Sequence, residues 1–434
     1  MTTENDDLFS LYFQYIAGGE APTIYHRWSL IAATGAFLGR QFWLPMGDSR
    51  VFPNQYVMLI GNPGTRKSTA IKRVAKVLRQ AGYKTFSAEK TTKEKFLLDL
   101  EGHEDAAGLQ GTGRDGSKPN GERAADILAT LDLADDSPSH DGVPREVFIT
   151  ADEFNEFAGT GNLDFLSMLG ALWDWDDEGS AYSQRFKNSK SISIYQPTLS
   201  ILGGNTHAGF QLAFPEAAIG QGFLSRLILV YSEPSGRKVT FPVAPDERIA
   251  VALMEKFHAI KQNVKGPAQR TNGASQALDT IYRTWQDLDD SRFKAYSTRR
   301  FTHLLKLCLV VTAMRGSVRI DQPDVLLANT ILSYTENSMP KALGEYGRSR
   351  NSTAAHNLMT ALYEARAPMN IEELYKVVQR DLDKRDQILD LIRNLQEAGK
   401  VVWVKDAGGF IARQKVMNTR AVFVTPKLLK EYSE

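Results

Sequence analysis

The sequence predicts an α/β core, then an all-helical stretch, then a small unit of three helices and a ribbon. Short apolar runs at 41–46, 55–60, 146–150, 198–202 and 227–231 alternate with helical segments through the first half of the chain. Beyond Pro234, Pro242 and Pro245 the apolar residues recur at helical spacing. Near the carboxyl end, strand-like runs return after three short amphipathic segments.

Residues 8–39 read as helices, with 28–38 the most apolar piece, and strands are expected at 41–46 and 55–60. The second run, Tyr56-Val57-Met58-Leu59-Ile60, opens directly onto Gly61-Asn62-Pro63-Gly64-Thr65-Arg66-Lys67-Ser68. A strand entering a glycine-bearing turn and then a helix, here 69–80, is how proteins hold the β- and γ-phosphates of a nucleotide. Gly61 and Gly64 let backbone N–H groups face phosphate oxygens, with Asn62, Pro63, Thr65 and Arg66 completing the loop. Lys67 is expected to reach the β/γ-phosphates and Ser68 to ligate Mg²⁺, while Thr69 opens a helix whose positive end adds to the field. ATP and Mg²⁺ are therefore the expected ligands. One position departs from the usual pattern: Arg66 stands where glycine normally precedes the lysine.

After a polar stretch rich in glycine and aspartate around 111–121, read as a surface loop, the run Arg145-Glu146-Val147-Phe148-Ile149-Thr150 ends in Ala151-Asp152-Glu153. An acid pair closing a strand at this distance from the phosphate loop supplies a Mg²⁺-organising carboxylate, Asp152, and a general base, Glu153. A helix at 165–175 and a hairpin at 182–195 follow. The strand 198–202 then runs into Gly203-Gly204-Asn205-Thr206, read as a turn. A polar side chain there can hold the attacking water; Asn205 is the candidate and Thr206 the alternative. In Gly220-Gln221-Gly222-Phe223-Leu224-Ser225-Arg226, the arginine precedes a buried strand and is suited to project from a subunit edge. Guanidinium fits that role because its planar fork stabilises charge spread over transferring phosphoryl oxygens. Arg299 and Arg300 form a second candidate pair.

Helices are expected at 246–264, 275–292, 298–315 and 322–346, then at 353–365, 371–378 and 386–398. A ribbon of 401–404 with 420–424, turning at Asp406-Ala407-Gly408-Gly409, completes the order of a winged helix.

Composition bounds what the chain does. With 434 residues there is room for two to four domains, and a net charge of +1 confines any nucleic-acid grip to local basic patches. The single cysteine, Cys308, lies in an apolar stretch and excludes both a disulfide framework and a cysteine-based zinc site. The acidic, polar amino terminus is unlike a signal peptide, and no apolar run approaches bilayer length. A cytoplasmic protein with no membrane partner is expected.

Taken together, this motif order resembles the AAA+ ATPases, and among them the MCM-type helicases, whose P-loop also replaces the glycine before the lysine. Gly203-Gly204-Asn205 is similar to their sensor turn, and Leu224-Ser225-Arg226-Leu227 to the segment that carries their finger arginine. Gly222-Phe223-Leu224-Ser225-Arg226 further resembles phage- and plasmid-borne ATPases linked to primase–helicase modules. The resemblance implies an amino-terminal helical segment (1–50), an AAA+ core (51–245), a helical lid (246–348) and a winged-helix domain (349–434). It also implies a ring, a hexamer, that translocates on or unwinds single-stranded or forked DNA in phage or mobile-element replication, with a separate primase or initiator as a further partner. The DNA-encircling zinc domain of MCM proteins has no counterpart here, so the grip falls to the 182–191 hairpin, with Arg185, Phe186, Lys187 and Lys190 as phosphate and stacking contacts. On the winged helix, Lys384, Arg385, Arg393, Lys405, Arg413 and Lys415 are interleaved with Asp381, Asp383, Asp386 and Asp390, which leaves DNA and protein contact both open. Two rival readings are a loader or remodelling ATPase that does not unwind, and a nucleotide-gated switch or scaffold.

Overall fold

The computed structural model describes residues 7–102, 142–176, 180–184, 191–215, 222–344, 350–365, 367–382, 384–397, 400–404 and 408–412. It is a mixed α/β chain built on a parallel sheet with many helices. The helices α1 (Leu8–Ile16) and α2 (Thr23–Leu38) lead into an antiparallel pair, β1 (Phe42–Met46) and β2 (Ser49–Val51). Next come β3 (Tyr56–Ile60), α3 (Lys67–Gln80) and α4 (Lys93–Glu101), then β4 (Glu146–Ala151), α5 (Phe154–Ala158) and α6 (Leu163–Ala171). The hairpin β5 (Ala181–Gln184) with β6 (Ile192–Tyr195) precedes β7 (Thr198–Asn205), α7 (His207–Ala213) and β8 (Ile228–Tyr231).

Four of these strands form the sheet, in the order β4-β7-β3-β8, all parallel. Every residue of β3 and β7 is buried, which is what a parallel strand covered on both faces demands. Helix α2 is buried on all sides from Tyr25 to Leu38 and packs against β3, β7 and α3. Its buried residues include His26, Arg27, Ser29 and Thr34 beside the apolar ones.

Beyond the sheet come α8 (Glu247–Asn263), two short strands, β9 (Gly266–Pro267) and β10 (Gln269–Arg270), and α9 (Asn272–Thr284). They are followed by α10 (Lys294–Met314), β11 (Arg319–Ile320) and α11 (Gln322–Leu343). One apolar cluster runs from Leu8 to Leu343, so the first fifty residues, the sheet and these helices share a core. A second cluster, from Ala354 to Phe410, gathers α12 (Arg350–Glu364), α13 (Ile371–Val378), α14 (Gln387–Glu397) and the ribbon β12 (Val401–Val404) with β13 (Gly409–Ala412).

The structure corrects three expectations. β7 does not stop at Leu202: Gly203 and Gly204 continue the strand to Asn205. They are glycine because a Cβ on Gly203 would come within 2.9 Å of Met58, and one on Gly204 within 2.5 Å of the Asp152 carbonyl. A close crossing, not a turn, selects them. The expected helix at 275–292 ends at Thr284, since Trp285 takes extended backbone, and α10 starts at Lys294. The partner of 401–404 is Gly409–Ala412, in register Val401↔Ala412 to Val404↔Gly409, and 420–424 lies outside the described residues.

Candidate active site

The glycine-bearing loop from Gly61 to Arg66, the expected phosphate loop, runs between the carboxyl end of β3 and the first turn of α3. Thr65 N and Oγ1 both donate to the Asn62 carbonyl, at 3.2 and 2.9 Å, which closes the turn. Gly64 has φ +86 and open space where a Cβ would project. Arg66 has φ 63 and ψ 28, the left-handed region that costs a non-glycine residue roughly 1–2 kcal/mol. This explains why glycine is usual there. The Arg66 side chain turns outward to Glu20, Nη2 to Oε2 2.6 Å, and Glu20 also accepts from Val239 N at 2.8 Å. The cation therefore faces the amino-terminal segment.

Lys67 points inward and is 6% exposed. Its Nζ donates to Gly61 O at 2.7 Å, Asn62 O at 3.2 Å and Thr65 Oγ1 at 3.2 Å. Burial lowers its pKa, and the nearby Glu153 carboxylate opposes the shift. Burial likewise raises the Glu153 pKa, against the pull of Lys67. Asp152 is 2.5 Å from Lys72 Nζ. Lys72 lies four residues after Ser68 on α3, so both share one helix face. Lys72 on that face reaches Asp152. Thr69 follows in the same first turn.

Because β7 lies between β3 and β4, Asn205 closes a strand flanked by the phosphate loop on one side and the acid pair on the other. Gly61 N donates to Asn205 O at 3.3 Å, and Asn205 itself is fully buried. Thr206, the alternative candidate, caps α7 by accepting from Gly209 N at 3.0 Å. Two clefts open here. One of about 340 Å³ runs beside α3, lined in part by Lys72, Arg79, Glu89, Asp152, Glu153 and Glu156. The other, about 220 Å³, lies outside the loop among Glu20, Thr65, Arg66, Ser235, Arg237 and Lys238.

Arg226 is elsewhere. It ends a short 3-10 turn, Leu224–Arg226, just before β8, whose Ile228 pairs with Val57 at the start of β3. β3 is five residues long, so Arg226 and the phosphate loop sit at opposite ends of the sheet, separated by roughly 13 Å of strand. Its Nη1 donates to Gly222 O at 2.6 Å, and its guanidinium lies 6.0 Å from the Trp173 ring. Burial lowers its pKa, reinforced by Arg299 and countered by Asp174. Arg299 is 3.5 Å from Asp174, so the two candidate arginines share one carboxylate. Behind them, Lys306 is wholly buried, bonded to Asn54 Oδ1 at 2.6 Å and 3.5 Å from Asp174, and burial brings its pKa down to about 8.

Arg300 does not join this group, which corrects its reading as a projecting arginine. It is 1% exposed, bonded to Glu336 at 2.9 Å, Asn329 at 2.8 Å and Ser333 at 3.1 Å, and stacked over Trp285. It ties α10 to α11. Arg185, Phe186, Lys187 and Lys190 lie outside the described residues, as do Lys405, Arg413 and Lys415. On the carboxyl-terminal unit, Arg385 pairs with Glu372 and Arg393 with Asp390. No helix among the described residues is long and apolar enough to cross a membrane.

Sequence reasoning missed Glu20, Lys72, Asp174 and Asn155. Lys72 had a signal, its four-residue offset from Ser68; Glu20 and Asp174 had none, being distant in sequence from what they hold. Compared with known proteins, the chain matches no family model and no curated protein.

Proposed function

We propose that the chain is a P-loop ATPase of the AAA+ type, working as a ring-forming, ATP-driven DNA translocase or helicase. The observation that carries this reading is the strand order. With β7 between β3 and β4, Lys67, Asn205, Asp152 and Glu153 gather at one end of the sheet, whereas Arg226 and Arg299 stand at the other. An arginine there cannot serve its own phosphate loop, but it can serve a neighbour's, and a closed ring gives every subunit such a neighbour.

The residues fit ATP and Mg²⁺. Lys67 is a buried ammonium held only by loop carbonyls and a hydroxyl, which phosphate oxygens can replace with stronger, charge-assisted bonds. Ser68 and Asp152 would hold Mg²⁺, which when bound neutralises charge on the phosphate oxygens. Asp152 would release Lys72 to do so. The Glu153 carboxylate, made more basic by burial, accepts the proton of the attacking water, and Asn205 orients that water. The neighbour's Arg226 stabilises charge on the transferring group. The cleft bearing Glu20, Ser235 and Arg237 takes the nucleoside end. DNA would be gripped by Arg185, Phe186, Lys187 and Lys190 of the hairpin, a part of the proposal that rests on sequence.

Arg66 bears on the switch alternative. Its side chain pairs with Glu20 and so does not crowd Lys67, which removes the reason for expecting slow turnover. The deciding experiment is steady-state ATP hydrolysis by the full chain, with and without single-stranded DNA, for wild type and Glu153→Gln. Hydrolysis stimulated by DNA and lost in the variant is expected; turnover unchanged by Glu153→Gln would overturn the assignment. A fork-unwinding assay separates a helicase from a loader.

A further inference from the structure

Asn155 lies two residues past Glu153, on α5, and its Oδ1 is buried with no donor among the described residues. The Oδ1 of Asn205, at the end of β7, is in the same condition, and that residue is fully buried. The two oxygens converge over one glycine. A Cβ built on Gly209 would stand 3.0 Å from Asn205 Oδ1 and 3.2 Å from Asn155 Oδ1, with Thr206 Oγ1 also at 3.2 Å. Gly209 is thus the floor of a small seat walled by oxygens, and the Gly209 N–H is already committed to Thr206 Oγ1.

Two buried amide oxygens that both lie within 3.2 Å of one point need a donor there. A neutral molecule with two O–H bonds satisfies both oxygens at once. We infer that a water molecule held between Asn155 and Asn205 over Gly209 fixes the Asn205 amide, which makes Asn155 a positioning residue for hydrolysis. This rests on the ATPase reading above. Asn155 acts through Asn205, so its removal loosens the amide that orients the attacking water and leaves the phosphate loop alone. Gly209 is required because a methyl group there would press on both amides.

The test compares Asn155→Ala, Asn155→Asp and Gly209→Ala with wild type in the full chain. Asn155→Ala and Gly209→Ala are each expected to lower kcat about tenfold with KM for ATP within twofold. Asn155→Asp, which keeps an acceptor oxygen, should recover at least half of kcat, and the double alanine variant should be no worse than either single one. An unchanged kcat in Asn155→Ala, or a matching loss of ATP affinity without rescue by aspartate, would overturn the inference. A high-resolution crystal structure of wild type decides the matter independently of turnover. An ordered water bonded to both oxygens is expected, and a direct amide–amide contact refutes it. If wild type itself does not hydrolyse ATP, the ATPase reading falls while that crystallographic result still judges the seat.

Discussion

At the carboxyl ends of β3, β4 and β7 the charged groups lie beside two clefts, whereas at the amino ends Arg226 and Lys306 lie against the Trp173 ring, with Arg226 also lining a cleft of about 590 Å³. Lys67, Asp152 and Glu153 have partners they can exchange: loop carbonyls, and a lysine that is 72% exposed. Arg299 and Lys306 are each 3.5 Å from a single carboxylate, Asp174, whose charge also reaches Arg226, while Arg226 and Lys306 lie against the Trp173 ring. His303 backs them, bonded to Ser225 O at 3.0 Å, with burial bringing its pKa down to about 3. On the proposed reading, the first end exchanges these partners for a ligand, while the second gathers cations near one carboxylate. On the proposed reading, the cationic end of one copy would meet the Lys67 end of another, and the two would not serve one site within a single copy.

The largest effect that tests this contrast is at the Lys67 end. Glu153→Gln should reduce ATP turnover by at least about 100-fold while ATP binding, read by equilibrium titration, persists. At the cationic end, Arg226→Ala should also cost at least about 100-fold. Mixing Arg226→Ala with Glu153→Gln should restore part of the activity, because some interfaces then hold both intact residues. Absence of recovery in mixed assemblies would break the proposed division of labour between neighbours.

Stability sharpens the same contrast among the arginines. Arg300→Ala should cost about 3–5 kcal/mol, because Glu336 is left as a buried, unpaired charge. Arg299→Ala, at a partly exposed pair, should cost no more than about 1 kcal/mol. Denaturant titration of the two variants checks the difference. Equal losses would mean that Arg299 is as structural as its neighbour.

The smallest effect is a pH slope. The Lys306 pKa falls from 10.5 to about 8 on folding, so between these values the unfolded chain binds the extra proton. Stability from this group is therefore complete above pH 10.5 and lost as pH falls through about 8. Lys306→Met should flatten that part of the stability–pH curve, measured by denaturant titration across the alkaline range.

The strand–loop–helix passage around Gly61 to Ser68 was legible because its glycines, lysine and serine are contiguous and a strand signal precedes them. The acid pair was legible for the same reason. Asn205 was found as a residue but mistaken in setting: Gly203-Gly204 reads as a turn until Met58 and the Asp152 carbonyl are seen to press on it. Arg299 and Arg300 could not be told apart in sequence, since α10 is buried along most of its length and its periodicity marks no single face.

What the sequence determined alone was local: a strand that turns through a glycine-bearing loop into a helix, an acid pair closing another strand, and an alternation that makes an α/β sheet. Such features depend on neighbours a few residues apart, whose backbone geometry is set by residue type. Only the tertiary structure decided the rest. It directed Arg66 to Glu20, set Lys72 against Asp152, brought Asn155 to Asn205 and gathered Arg226 with Arg299 around Asp174. Those pairings cross tens to hundreds of residues, and they follow from which buried strand lies beside which, a choice made by the packing of the whole core.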